Sequence, residues 1–258
     1  MPGAKVISKK KPDDFAKMEI AGQCVAAIHQ VVRQAAVPGI TTRELDALAA
    51  DVLRERGCRP SFLGYHGFPA TICASPNSAI VHGIPDGYTL RNGDIISIDA
   101  GAIYEGWHGD AAFTIAIGDV PDDVRRLLVV TEEALWNGLR MARPGNRLGD
   151  VGHAIEETAK PHGYGVVREY IGHGIGRQMH EAPNVPNYGV PGKGLKLKAG
   201  MALAIEPMFN LGTAETVVLD DGWTVVTADG SLSAHFEHTV LITQDGPVVS
   251  TLPEPIHL

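Results

Sequence analysis

From Pro12 to Ala36 the apolar residues recur at helical spacing. Phe15, Met18, Val25, Ile28 and Val32 fall on one stripe, which predicts an amphipathic helix. "VPG" at Val37–Gly39 stops it. Thr41 and Glu44 then have the spacing of a capping box and open a second helix, which carries Leu45, Leu48, Val52 and Leu53 and ends near Gly57. The same plan recurs. Pro121 opens a helix bearing Val124, Leu127, Leu128, Thr131 and Leu135, "RPG" at Arg143–Gly145 stops it, and a further helix with Val151 and Ile155 ends near Gly163. Pro38 and Pro144, like Gly57 and Gly163, stand 106 residues apart (144 − 38 and 163 − 57). Two helices, a Pro-Gly break and a terminal glycine in one repeated order point to internal duplication. Strand-like segments rich in glycine and proline follow each helix pair. The expected architecture is α+β: two similar halves, about 12–118 and 119–250, sharing one sheet in a single domain 12–258, behind a tail of residues 1–11. Sites commonly form where two such halves meet, so polar residues inside apolar strands carry the most information.

The stretch "DIISIDAGAIYEGWHGDAAF", Asp94–Phe113, reads as a hairpin with Asp99 ending one strand and Asp110 beginning the next. Aspartate is depleted from strands. A turn centred between Tyr104 and Glu105 would set Asp99 directly opposite Asp110, and cross-strand Cβ atoms lie roughly 4.5–5.5 Å apart. Like charges there repel; a cation between them or a shared proton resolves the conflict. Solvated aspartates on a half-exposed hairpin are the plain alternative, against which stand the apolar flanks "IISI" and "AAFTIAI". "MALAIEPMF" holds Glu206 and "AHFEHTVLIT" holds Glu237, each without a lysine or arginine nearby in sequence. Burying such a carboxylate costs several kcal/mol unless it is paired. "YIGHGIGRQMHEAP", Tyr170–Pro183, adds His173 among glycines, then His180 and Glu181; His82 lies in "IVHGIP". Four carboxylates and one imidazole suit hard or borderline divalent ions such as Mn, Fe, Co or Zn. Five protein ligands exceed what one catalytic zinc takes while keeping an open position. Two ions about 3.5–4 Å apart, sharing two bridging carboxylates, would use all five and could hold a hydroxide between them as nucleophile.

The remaining features narrow the class. The chain has 258 residues, 44% hydrophobic and 20% charged, enough for a sizeable core. A formal net charge of −8 argues against a general nucleic-acid binder. The one basic cluster, "SKKK" at Ser8–Lys11, reads as a solvated tail. Cys24, Cys58 and Cys73 are odd in number and lack metal-ligand spacing, which suits a reducing compartment. No apolar run approaches the ~18 residues of a membrane span, and the N-terminus lacks the apolar core of a signal peptide. The expected location is the cytoplasm.

The ordered set Asp99, Asp110, His173, Glu206 and Glu237, in "SIDAG", "HGDAAF", "GHGIGRQMHE", "AIEPM" and "FEHT", resembles the methionine aminopeptidases of type I, bacterial form, in peptidase family M24. "LGYHGFPATICASPNSAIVHGIP" and "DGWTVVTADGSLSAHFEHT" match the same pattern, so the resemblance covers about residues 10–250. It implies the pita-bread fold, two pseudo-symmetric α+β halves around a central antiparallel sheet. It also implies removal of the initiator methionine from nascent chains when the next residue is small. By the resemblance, Asp110 and Glu237 bridge two divalent ions (Co, Mn, Fe, Zn or Ni), Asp99 binds one, and His173 and Glu206 complete the other. His180 donates to the scissile carbonyl oxygen, His82 contacts the scissile nitrogen, and Glu206 takes the proton of the attacking water. Tyr65, Cys73 and Trp223 match the usual lining of the methionine pocket. Phe62, Phe68 and Met179 stand where the family pattern has cysteine, tyrosine and phenylalanine. A structural monovalent cation is implied near Asn77 and Ser233. Transient ribosome contact and a monomeric state are also implied. Proline-specific aminopeptidases share the ligand set but carry a further N-terminal domain, for which a catalytic half starting near residue 12 leaves no room. A non-catalytic binding module on this fold would have lost ligands, and all five stand here.

Overall fold

The computed structural model describes residues 7–258. The first half runs α1 (Pro12–Ala35), α2 (Thr42–Glu55), β1 (Arg59–Pro60), β2 (Ile72–Pro76), β3 (Ala79–Val81), β4 (Ile95–Tyr104) and β5 (Trp107–Ala116). The second opens with α3 (Asp122–Met141), α4 (Leu148–Ala159), β6 (Gly165–Val166), β7 (Gly172–Gly174), β8 (Glu181–Val185) and β9 (Ala202–Ile205). It closes with β10 (Met208–Asn210), β11 (Thr216–Val218), β12 (Val225–Thr227), β13 (Ser233–His235), β14 (Glu237–Ile242), β15 (Pro247–Val249) and β16 (Ile256–His257).

The helix pairs are built alike. Thr41 accepts from the Glu44 N–H and Glu44 returns a bond to the Thr41 N–H, so the expected capping box starts α2. Asp150 closes the corresponding bond to the Arg147 N–H at the start of α4. Gly39 and Gly145, which stop α1 and α3, have φ of 103° and 100°; Gly57 and Gly163, after α2 and α4, have 66° and 69°. The two helix pairs thus end in left-handed turns at matching positions.

Ten strands form one sheet in the order β1-β4-β5-β14-β9-β7-β8, with β2 on β4, β15 on β14 and β16 on β15. Its pairings are antiparallel, and the β5–β14 pair joins the halves. All four helices contribute to one core against this sheet. Val25 and Ile28 of α1, Leu45 of α2, Leu127 and Leu135 of α3 and Ile155 of α4 meet Ile96, Ile98, Phe113, Leu203 and Ile205. Full burial of each such side chain contributes about 1.5–3 kcal/mol. α1 lies against the sheet through glycine: a Cβ on Gly22 would stand 2.2 Å from the Ser250 carbonyl oxygen, and one on Gly109 would stand 2.7 Å from the Gly22 nitrogen.

Two expectations are corrected. The hairpin turns on Glu105 and Gly106, so Tyr104 pairs with Trp107, Asp110 lies opposite Gly101, and Asp99 lies opposite Ala112. Glu105 and Gly106 have φ of 47° and 79°, the two positive values that a tight hairpin turn matching the strand twist demands. The aspartates are therefore diagonal neighbours on one face, not a direct pair. The basic stretch at Ser8–Lys11 is not a solvated tail either. Lys9 and Lys11 are exposed, but Lys10 is only 6% exposed. Its N–H donates to the Gly200 carbonyl, and its ammonium meets Glu181 Oε2 at 2.8 Å. Entry of the chain into α1 lays these residues along the sheet, where the half-buried Glu181 supplies the counter-charge. Residues 1–6 of that tail lie outside the described residues.

Candidate metal centre and substrate cavity

Five consecutive strands each deliver one ligand-type side chain to the same place. Asp99 comes from β4, Asp110 from β5, Glu237 from the first position of β14, Glu206 from just beyond β9, and His173 from the middle of β7. Register explains the convergence. Ala112 pairs with both Asp99 and Glu237, and Ala204 pairs with His173. A small side chain between larger ones leaves the volume the carboxylates fill. Thr239 locks β5 to β14 by accepting from the Asp110 N–H at 3.0 Å and donating to the Asp110 carbonyl at 2.8 Å.

Asp110 and Glu237 are 2% exposed. Asp99 Oδ1, Asp110 Oδ1 and Glu237 Oε1 are buried without any hydrogen-bond partner. His173 Nδ1 donates to the Gly174 carbonyl at 2.9 Å, which leaves the Nε2 lone pair facing the acids. Nε2 lies 3.7 Å from Asp110 Oδ2 and 3.5 Å from Glu206 Oε1. These gaps are too long for hydrogen bonds. They suit donors that share an ion about 2.0–2.2 Å from each. Burial pushes the Asp99 carboxyl up to about 7, and burial together with the Asp99 charge pushes Glu206 up to about 8. Burial and mutual repulsion hold Asp110 and Glu237 well above the usual carboxylate range. Burial lowers the His173 imidazole to about 3, so it is neutral and ready to ligate. Orphaned acceptors, crowded acids and a correctly turned imidazole fit a divalent metal.

The acids form one end of a cavity of about 310 Å³. The thirteen residues the sequence suggests as divalent-metal, catalytic or substrate-binding groups line it: the five above, His82, His180, and the apolar set of Phe62, Tyr65, Phe68, Cys73, Met179 and Trp223. That apolar set forms its own buried cluster, with Phe68 edge-on to both Phe62 and Trp223 at centroid distances of 6.4 and 5.2 Å. Asp221 accepts from the Trp223 and Thr224 N–H groups, both at 2.8 Å, and so holds the turn that presents the indole. Cys73 pairs directly with Asp99 across β2 and β4, so the apolar wall runs into the acids. His180 Nδ1 is 2.8 Å from the Tyr65 hydroxyl, and its ring centroid is 4.2 Å from that of His173. His82 sits at φ 60°, a left-handed conformation costly for a histidine, and burial lowers its pKa to about 4. Asn77 and Ser233 meet away from the cavity lining, the Ser233 N–H donating to the Asn77 carbonyl at 3.0 Å.

Three neighbours escape the sequence reading. His66 lines the cavity mouth. His235 is 1% exposed, neither ring nitrogen has a hydrogen-bond partner, and Nε2 lies 3.8 Å from Glu206 Oε2. Its place two residues before Glu237, within the same short strand run, is the only sequence signal it leaves. Lys10, from the presumed tail, reaches the residue after His180.

The family model for metallopeptidase family M24 matches residues 16–244. Methionine aminopeptidase 1 of Mycobacterium tuberculosis (strain CDC 1551 / Oshkosh) is 51% identical, covering 97% of this chain and 97% of that protein. This chain belongs to the methionine aminopeptidases of family M24. Among them, methionine aminopeptidase 1 of Bacillus subtilis (strain 168) is 49% identical over 92% of this chain and 96% of its own length. The crystal structure of methionine aminopeptidase from Thermotoga maritima superimposes with a TM-score of 0.94 at 45% identity, covering 96% of this chain and all (100%) of that one. A prolidase from Pyrococcus furiosus shares the fold alone, with a TM-score of 0.78 at 24% identity and 66% of its chain covered. The pita-bread fold, the family resemblance and the metallopeptidase class expected from the ligand motifs all hold. Among the described residues no helix is long and apolar enough to cross a membrane.

Proposed function

We propose that this methionine aminopeptidase removes the N-terminal methionine from nascent polypeptides whose second residue is small. The observation that carries the reading is the direct abutment of the apolar cluster on the acids, Cys73 lying across from Asp99. A methionine side chain buried among Phe62, Phe68, Cys73, Met179, Trp223 and Tyr65 would bring the bond after it to the metal ligands. Its thioether suits such aromatic walls.

Asp99, Asp110, His173, Glu206 and Glu237 would hold two divalent ions, with Asp110 and Glu237 common to both. Bound there, the pair supplies Lewis acidity that acidifies a water and polarises the scissile carbonyl. The residues of the chain do the rest. Burial, and then the nearby His66, keeps the His180 pKa low, so the ring is neutral. With the Tyr65 hydroxyl donating to Nδ1, the Nε2–H is free to donate to the carbonyl oxygen as negative charge develops. Glu206 takes the proton of the attacking water and returns it to the departing amine. His82 contacts the scissile nitrogen from the cavity wall. The setting is the cytoplasm, the partner a ribosome with an emerging chain, and the working form a monomer. A monovalent cation beside Asn77 and Ser233 would be structural.

The test is hydrolysis of a Met-Ala-Ser peptide by protein loaded with Mn, Fe, Co, Zn or Ni in turn. Release of free methionine, abolished by chelation, supports the reading. Cleavage of Xaa-Pro peptides alone would assign a proline-specific peptidase instead. No turnover with any of the ions would assign a binding module.

A further inference from the structure

The loop joining β7 to β8, taken with its flanking strand residues as 174–181, carries Met179 of the apolar wall and His180. At its base it is tied to the sheet, the Ile175 N–H donating to the Ala202 carbonyl at 3.1 Å and the Gly176 carbonyl accepting from the His108 N–H at 2.9 Å. At its far end the Glu181 carboxylate folds back over it. Oε1 accepts from the Gln178 N–H at 3.1 Å, and Oε2 accepts from the Ser8 hydroxyl at 2.6 Å and the Lys10 ammonium at 2.8 Å. The Lys10 side chain is 1% exposed and that of Glu181 12%. Among the described residues Lys10 is the only cation in ion-pair contact with Glu181. A Cβ on Gly176 would stand 2.6 Å from Lys10 Cε and 2.7 Å from Glu181 Oε1, so the loop is shaped around the pair. Lys10 is itself anchored through its N–H to Gly200 at 2.8 Å, just before β9.

We propose that the Lys10–Glu181 pair is a latch: the segment before α1 holds the 174–181 loop in place and thereby sets His180, making Lys10 a positioning residue for the reaction. The inference rests on the aminopeptidase reading above. Without the ammonium, the carboxylate is left half-buried with no counter-charge, a strongly unfavourable state. It turns toward solvent and releases the Gln178 N–H. His180, next to the freed Glu181 in the chain, is then held only through its ring neighbours Tyr65 and His173, and its Nε2 wanders from the carbonyl oxygen.

The test compares metal-loaded full-length protein with Lys10→Met, Lys10→Arg and the double variant Lys10→Met/Glu181→Gln. Three quantities are read: kcat and KM on Met-Ala-Ser, bound metal, and amide hydrogen exchange across residues 174–181. Lys10→Met is expected to lower kcat about tenfold or more, in line with the cost of a misplaced catalytic group, with metal content little changed and any rise in KM, from Met179 on the same loop, smaller than the fall in kcat. Exchange in 174–181 should quicken while the core strands keep their protection. Lys10→Arg should restore most of kcat. If Lys10→Met does not fold, the double variant answers. Its neutral amide still accepts from Gln178, so the protein folds, and kcat should stay below that of the unaltered protein by about threefold or more. A native kcat with native exchange in either Met-bearing variant overturns the latch. So does a lowered melting temperature with unchanged kcat, which would make the pair a simple strut. If the unaltered protein releases no methionine, the aminopeptidase reading fails, and the exchange measurement still decides whether Lys10 holds the loop.

Discussion

Metal binding to this site must expel protons, and the number can be worked from the structure. Asp99 titrates at about 7 and Glu206 at about 8, both because burial penalises the carboxylate. Asp110 and Glu237 are held well above the usual range for the same reason. At pH 6, Asp99 therefore keeps its proton in about nine molecules of ten and Glu206 in nearly all. His173, lowered to about 3, contributes none. A carboxylate must lose its proton to ligate, so each one raises the apparent metal affinity about tenfold per pH unit below its own pKa. The Asp99 charge acts on the Asp110 carboxyl together with burial, so the two aspartates titrate as a unit. Asp99 and Glu206 alone thus make the expected rise in affinity between pH 6 and 7 about tenfold or more, and Asp110 and Glu237 steepen it wherever they still hold a proton. Titration of chelated protein with Mn(II) by calorimetry, in two buffers of equal pH and different ionisation heat, counts the protons. Competition with a chelator at pH 6, 7 and 8 gives the slope. Identical heats in the two buffers together with a flat affinity would refute the reasoning, because the acids would then be ionised before the metal arrives.

Other consequences test separate parts of the argument. His180→Ala should cut kcat on Met-Ala-Ser by ~10²-fold or more, as loss of an oxyanion donor does, while bound metal measured by atomic emission is unchanged. His235→Leu should weaken Mn(II) binding about 10–100-fold, the usual effect of removing a group that supports a ligating carboxylate. His235→Gln, which keeps a polar group beside Glu206, should recover most of the affinity by the same calorimetry. Gly22→Ala should destabilise the fold by about 2 kcal/mol or more despite the better helix propensity of alanine, since the new methyl meets the Ser250 carbonyl oxygen. A thermal melt showing a raised midpoint would contradict it.

The helices were legible in the chain because their signals are local. A capping box, a proline-glycine stop and a period near 3.6 each act within a few residues, and α1 to α4 appear at the expected places. The anomaly of Asp99, Asp110, Glu206 and Glu237 was legible for a similar reason: a carboxylate in an apolar strand needs a partner wherever that strand lies. The hairpin register was not. It hung on whether Glu105 and Gly106 take positive φ together, and a shift of the turn by one residue moves Asp99 from opposite Asp110 to opposite Ala112. Lys10 and His235 were likewise silent, since a lysine beside two others and a histidine near a glutamate look ordinary in sequence.

Residue type and spacing by themselves determined which segments coil, which extend, where the plan repeats, and which charges demand a counter-ion. Only the tertiary structure decided that five strands set those charges around one point, that an apolar cavity ends on them, and that Lys10 reaches across to Glu181. The division is physical. Backbone preference and burial periodicity act between near neighbours. Electrostatic pairing acts through space, and the space is made only when the β5–β14 pair joins the two halves.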